Sequence, residues 1–245
     1  MGDAAGNVQS LRDAGFAWVR QLADPQLVAQ LCSALQAHDD ASRPASRAGV
    51  PYAARNLLGV PAVAAFASGD LVQNALRAMV AAAGMPVRAI LFDKLADANW
   101  GVGWHQDLMI PVRERVETPD FSAWSVKQGV PHVKPPEEVL RQMVTIRLHL
   151  DDAGEDNGPL QVVPCSHHWG EVPTPEVAER VRGCEVTLCT AAAGDALFMR
   201  PLLMHASAKA TTPARRRVLH IEFAAQPLPG ELRWPLYPRL SEPGD

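Results

Sequence analysis

"MVTIRLHLD", residues 143–151, alternates without a break. Val144, Ile146, Leu148 and Leu150 fall on one side of an extended chain, and Thr145, Arg147 and His149 on the other, because successive side chains of a strand point to opposite faces. A strand with one apolar face needs a second layer to cover it. The chain around it supplies more strands: "VRAILFDK" (87–94) upstream, then "LQVVP", "CEVTLCTA", "DALFMR" and "RRVLHIEF" (216–223) downstream, punctuated by the turn signals "GEDNGP" and "AAAG". Short strands at such spacing predict a sandwich or jelly roll. The front of the chain reads differently. Asp24-Pro25 offers an N-cap followed by proline at the first helical position, and Leu27, Leu31 and Leu35 line one face of the helix that follows. A second helix is expected from Asp70 to a stop at Gly84, with Pro86 beyond it. The expected class is mainly β with flanking helices (α+β), the helices packed outside the strands.

Length and composition fit one domain. The 245 residues are 47% hydrophobic and 20% charged, with a net charge of −4, an ordinary globular balance. No basic surplus points to nucleic acid or an acidic membrane surface; Arg215-Arg216-Arg217 is too short to alter that. The N-terminus has no apolar run of the kind that makes a signal peptide, and no stretch is long enough to span a bilayer. Cys32, Cys165, Cys184 and Cys189 show no metal-binding or disulfide spacing, so reduced thiols and a cytoplasmic location are expected. The helical front covers about 1–85 and the strand core about 86–225. Within that core, 111–142 reads as a long, mostly irregular insertion carrying Phe121 and Trp124, the length of loop that commonly serves as a lid. Nothing in the sequence addresses oligomeric state.

"NWGVGWHQDL" (99–108) draws attention for its chemistry. In extended chain His105 and Asp107 project to the same side, while Gln106 points away. Two histidines and one carboxylate on a face of an octahedron leave open positions, the arrangement of non-haem Fe(II) oxygenases. Spacing alone does not single out this pair. His149 and Asp151 share it, with His205 downstream, and His220-Ile221-Glu222 is a looser version that lacks a later histidine.

Taken together, "WHQDL" (104–108), "DNGPLQVVPCSHHWG" (156–170) and "GDALFMRPLLMHAS…RRRVLHIEF" (194–223) resemble the phytanoyl-CoA dioxygenase family. Cys165 departs from the glycine usual there. The resemblance implies a double-stranded β-helix, a form of jelly roll, and a non-haem oxygenase using Fe(II), 2-oxoglutarate and O2. It implies His105, Asp107 and His205 as iron ligands. It also implies Arg216 and Ser207 as the grip on the far carboxylate of 2-oxoglutarate, with Arg147 placed near the cosubstrate. The residues agree with the choice of Arg216. In "RRRVLHIEF" Leu219, Ile221 and Phe223 share an apolar face, and Arg216, Val218 and His220 the other. A guanidinium is also a planar fork matched to a carboxylate.

Further candidates for the pocket are Gln106, Trp100, Trp104, Trp124 and His149. The tryptophans are expected as walls that keep water from the reacting centre, Gln106 as a hydrogen-bonding neighbour, and His149 as a partner of Arg147 on the polar strand face. The expected reaction is hydroxylation of an unactivated C–H bond in a small molecule, with succinate and CO2 released. Because Asp107 is present, halogenation is disfavoured. The rival readings are a jelly-roll binding protein without catalysis and a zinc hydrolase using the same ligands.

Overall fold

The computed structural model describes residues 4–41, 45–47, 50–95, 99–212 and 214–235. Helix α1 (Ala4–Asp13) and strand β1 (Phe16–Val19) lead into α2 (Pro25–Ala41), β2 (Ala45–Arg47), β3 (Val50–Ala54), α3 (Pro61–Ser68) and α4 (Asp70–Val80). Next come β4 (Met85–Lys94), β5 (Val102–His105), β6 (Ile110–Pro111), β7 (Ser122–Lys127), β8 (Val130–Lys134) and α5 (Glu137–Arg141). The remaining elements are β9 (Met143–His149), β10 (Leu160–Val162), α6 (Val177–Val181), β11 (Thr187–Cys189), β12 (Ala196–Met199), β13 (His205–Ser207) and β14 (Arg216–Ala224).

Seven strands form one antiparallel sheet in the order β1-β12-β9-β14-β4-β3-β2, and four form a second, β11-β10-β13-β5. Leu160, Val162 and Cys189 of the small sheet meet Leu197 and Met199 of the large one in a shared apolar layer. This is the expected jelly roll. The alternation at 143–151 acts as read: Val144, Ile146, Leu148 and Leu150 join Leu219, Ile221 and Phe223 in the core beneath the helices. Thr145, Arg147 and His149 face the interior between the sheets, where they too are buried. Both faces of β9 are covered, so the polar face belongs to a site and not to solvent.

The helical front follows its caps. Asp24 Oδ1 accepts the Leu27 N–H at 2.8 Å, satisfying one of the free donors of the first turn of α2. Helix α4 stops at Val80, short of the expected Gly84, because Ala81 takes the left-handed conformation (φ 56) and closes the last turn on Arg77. Gly84 has another task. A Cβ there would lie 2.9 Å from Cβ of Phe223, so its lack of a side chain lets the chain entering β4 lie against β14.

The segment 111–142 corrects the expectation of irregular chain. Strands β6, β8 and β7 make a third sheet in that order, and Gln128-Gly129 forms the β7–β8 turn with φ of 48 and 80. Two consecutive positive φ values match the tight turn that follows the natural strand twist. Among the described residues no helix is long and apolar enough to cross a membrane.

Candidate active site

Strands β5 and β13 pair so that His105 and His205 are direct cross-strand partners. Their rings lie with centroids 4.1 Å apart, tilted by 51°. Each ring is held by a carbonyl two residues back: His105 Nδ1 lies 2.8 Å from Gly103 O, and His205 Nδ1 lies 2.8 Å from Leu203 O. A carbonyl only accepts, so each Nδ1 carries the hydrogen and each Nε2 keeps its lone pair. Burial pushes the His205 ring down to about 3, with the neighbouring His105 ring adding to the effect, so His205 is neutral at physiological pH.

Asp107 completes the cluster. Its backbone N–H donates to Pro201 O at 2.9 Å, which turns the carboxylate toward the two rings. Oδ2 sits 3.7 Å from His205 Nε2 and is buried with no hydrogen-bond partner. Burial would raise this carboxyl, but the His205, His220 and His105 rings and the Arg88 guanidinium hold it well below the usual carboxylate range. One ligand atom from each of His105, Asp107 and His205 lies within 4.8 Å of the others. Two bare imidazole nitrogens and an orphaned carboxylate oxygen are a donor set for a divalent cation, and the carbonyl bonds on the far nitrogens are the supports such ligands need.

A second convergence, Asp107 with His220 and Glu222, has different chemistry. Arg147 Nη1 is 3.0 Å from His220 Nδ1. Guanidinium only donates, so His220 carries its hydrogen on Nε2 and gives it to Glu222 Oε1 at 3.2 Å. Glu222 is also ion-paired with Arg88. His220 therefore has no lone pair for a metal, and the four residues form a closed buried network beside Asp107.

The interior next to this network is strongly positive. Arg147, Arg216 and Lys94 are all buried, and Arg216 and Lys94 are cross-strand partners on β14 and β4. Among the described residues, none of the three is paired with an acid. Arg216 Nε and Nη1 and Arg147 Nε have no partner at all. Lys94 Nζ donates to Ala208 O at 2.6 Å and lies 5.3 Å from the Trp100 ring centroid. Burial lowers Arg216 to about 10, Arg147 contributing, and lowers Lys94 to about 8, with Arg216 and Arg147 adding to it. His149 borders the same space with both ring nitrogens unpartnered. Burial and the two arginines press it down to about 3, so it adds no charge. Buried cations without counter-charge are costly; this pocket is built for an anion. Ser207, also buried, stands two residues past His205 on β13.

The structure separates the remaining candidates. Asp151 is claimed by Arg217 through bonds of 2.8 and 2.7 Å, so among the described residues it joins no cluster with His149. Gln106 is not in the pocket. It is turned into the protein, donating to Gly170 O (2.8 Å) and Leu202 O (2.7 Å) and accepting from Val172 N (2.8 Å). Trp104 is likewise corrected. It precedes His105 on β5, so it points to the other face, where it packs on Val163, Val172, Val177, Val181 and Met204. Trp124 packs against the apolar cluster of the insertion beneath Arg115, whose guanidinium is 5.3 Å from the ring centroid. Trp100 stands beside Lys94, with its ring centroid 6.2 Å from that of Phe92.

Sequence reasoning missed Lys94 and Arg88, and set Glu222 aside with the looser His220 pattern. Lys94 and Arg88 sit on the same face of one strand as Phe92, which a period-two reading of "VRAILFDK" would have exposed. Glu222 continues the Arg216–His220 face of β14.

A family model, phytanoyl-CoA dioxygenase (PhyH), matches residues 11–218. The fold is similar to that of AviO1 from Streptomyces viridochromogenes Tue57, at 23% identity and a TM-score of 0.67 over 94% of this chain and 99% of that one. It is similar to SnoK, a non-heme alpha ketoglutarate dependent carbocyclase from nogalamycin biosynthesis, at 12% identity and 0.71 over 96% and 97%. It is also similar to EctD from S. alaskensis, solved with 2-oxoglutarate and 5-hydroxyectoine, at 17% identity and 0.69 over 92% and 78%.

Proposed function

The chain belongs to the phytanoyl-CoA dioxygenase family, a family of Fe(II)- and 2-oxoglutarate-dependent oxygenases, and we propose that it hydroxylates an unactivated C–H bond of a small organic molecule with release of succinate and CO2. The observation that carries this reading is a juxtaposition. One ligand atom from each of His105, His205 and Asp107 lies within 4.8 Å of the others, and a buried trio of cations without an acid adjoins them.

In this reading His105 Nε2, His205 Nε2 and the Asp107 carboxylate hold the iron. Bound iron supplies the one-electron and O2 chemistry that no side chain here can perform. The chain does the rest. The Gly103 and Leu203 carbonyls fix both rings and their tautomer. The Arg216 fork takes the far carboxylate of 2-oxoglutarate as a bidentate partner, with the Ser207 hydroxyl donating to the same group. Arg147 and Lys94 add positive field at fixed positions, so the dianion is held without reorganisation. Trp100 and Phe92 cover the flank of that pocket and restrict water.

Anaerobic addition of 2-oxoglutarate to the Fe(II) protein tests the reading. A visible charge-transfer band is expected, followed in air by succinate formation, and both should vanish in His205→Ala. Retention of zinc with indifference to 2-oxoglutarate would instead mark a hydrolase.

A further inference from the structure

The β7–β8 hairpin carries polar groups that the cofactor chemistry does not use. Ser125 and His132 are direct cross-strand partners, and Lys127 pairs with Val130. Side chains at alternate positions of β7 share a face with their partners on β8, so Ser125, Lys127 and His132 lie on one side of the hairpin. Strand β6, which begins three residues after Asp107, pairs with β8 at Pro111 and His132 and ties that sheet to the ligand loop. At the turn, Asn56 Nδ2 donates to Gln128 O at 3.3 Å. Val126, on the opposite face, is 70% exposed while His132 is buried, so the shared face is turned into the protein.

Those groups have needs the protein does not meet. His132 is 3% exposed. Its Nδ1 lies 2.9 Å from Val130 O, so that nitrogen holds the hydrogen and Nε2 is a bare acceptor, buried without a donor. Burial presses the ring down to about 4, with Arg88 and Lys127 assisting, which keeps it neutral. Ser125 Oγ is buried and unpartnered beside it. Lys127 is half-buried, and among the described residues no acid is paired with it. Glu222 is already engaged by Arg88 and His220. Buried polar groups are ordinarily satisfied, so the unmet His132 acceptor and Ser125 hydroxyl, on one face with the half-buried Lys127 ammonium, describe a ligand in negative.

We propose that this hairpin face selects the primary substrate, and that the substrate is a small hydroxy or amino acid: its anionic oxygen group meets Lys127, and its hydroxyl or N–H donates to His132 Nε2. Ser125 Oγ turns to whichever of the two groups lies nearer. The inference rests on the oxygenase reading for the reaction, but its chemistry belongs to the hairpin.

The test uses protein loaded with Zn(II) and saturating 2-oxoglutarate, which blocks turnover and keeps added anions away from Arg216. Mandelate, mandelamide and phenylacetate are titrated by ligand-observed NMR. They differ in turn by the loss of the charge and the loss of the hydroxyl. Mandelate should bind about tenfold tighter than either, because a site built around a polar group rejects the analogue lacking it. Lys127→Gln should erase the preference over mandelamide, and His132→Phe the preference over phenylacetate. Equal binding of the three probes, no binding of mandelate, or a preference that survives Lys127→Gln overturns the proposal. Should a variant unfold, the comparison on the unaltered protein decides by itself. Absence of the Fe(II)·2-oxoglutarate band, measured separately without probes, would count against the oxygenase reading and not against the hairpin.

Discussion

Asp107 and Asp151 each follow a histidine by two residues, and the partner of each carboxylate separates them. Local spacing could not make that choice, because the deciding group, Arg217, lies on β14 and reaches Asp151 across the sheet. The two substitutions should therefore fail differently. Asp151→Ala should cost about 1–3 kcal/mol of stability, the range for charge-assisted bonds, and leave Fe(II) affinity near that of the unaltered protein. Asp107→Ala should keep its melting temperature and lose Fe(II) binding. Calorimetric melting beside metal titration checks both; the opposite pattern would move the metal to the other pair. Lys94 supplies a pH signature. The unfolded chain keeps this ammonium to its ordinary 10.5, the folded chain only to about 8. Between those values the unfolded state binds more protons, so the contribution of this group to the unliganded protein's stability rises with pH across the window. A dianion in the pocket favours the ammonium and reverses the preference. Affinity for 2-oxoglutarate should thus fall as pH climbs past about 8, and Lys94→Met should bind more weakly but flatten the profile. Calorimetric titration at several pH values would show it.

Among the elements, the long strands and the capped helices were legible, and the short pieces that build the site were not. β9 and β14 declare themselves because one face must bury apolar side chains against helices, which imposes a period of two over seven and nine residues. β13 has three residues and β5 four, too few for any periodicity, yet their pairing sets the two histidines side by side. The β7–β8 hairpin stayed hidden for a related reason. Its strands carry Ser125, Lys127 and His132 on the face turned into the protein, so the usual contrast between inside and outside is absent. The segment joining β5 to β6 depends on a residue that sequence reading placed in the pocket. Gln106 satisfies two carbonyls and one N–H of the 170–172 and 202 backbone, anchoring the chain between the two metal-ligand candidates. Gln106→Leu keeps the volume and orphans all three groups. A loss of about 2–4 kcal/mol is expected at roughly 1 kcal/mol per bond. Fe(II) affinity should drop more than affinity for 2-oxoglutarate, because Arg216 sits on a different sheet. Denaturant melts and separate titrations of metal and cosubstrate distinguish that outcome from a general loosening.

Across the whole molecule, the large sheet has one face committed to the helical core, while the other shares an apolar layer with the small sheet and carries buried charge. Arg147, Arg216, Lys94 and the Arg88–Glu222–His220 network occupy interior that apolar side chains would fill at lower cost. The resulting strain is electrostatic and local to the pocket, so it should be relieved by the ligand and also by removing a cation. Two measurements follow from that one cause. At about 100 times its dissociation constant, 2-oxoglutarate should stabilise the protein by about 2.7 kcal/mol. That corresponds to a rise of roughly 5–10 °C for a chain of this size. The neutral diamide of 2-oxoglutarate should produce none of it. Arg216→Met, which retains much of the side-chain volume without the charge, should leave the unliganded protein as stable as before or more so, while abolishing the shift. A variant that melts markedly lower without ligand would mean that Arg216 is an ordinary structural residue. The cation trio would then be satisfied within the fold, and the argument for an anion-binding interior would fail at its base.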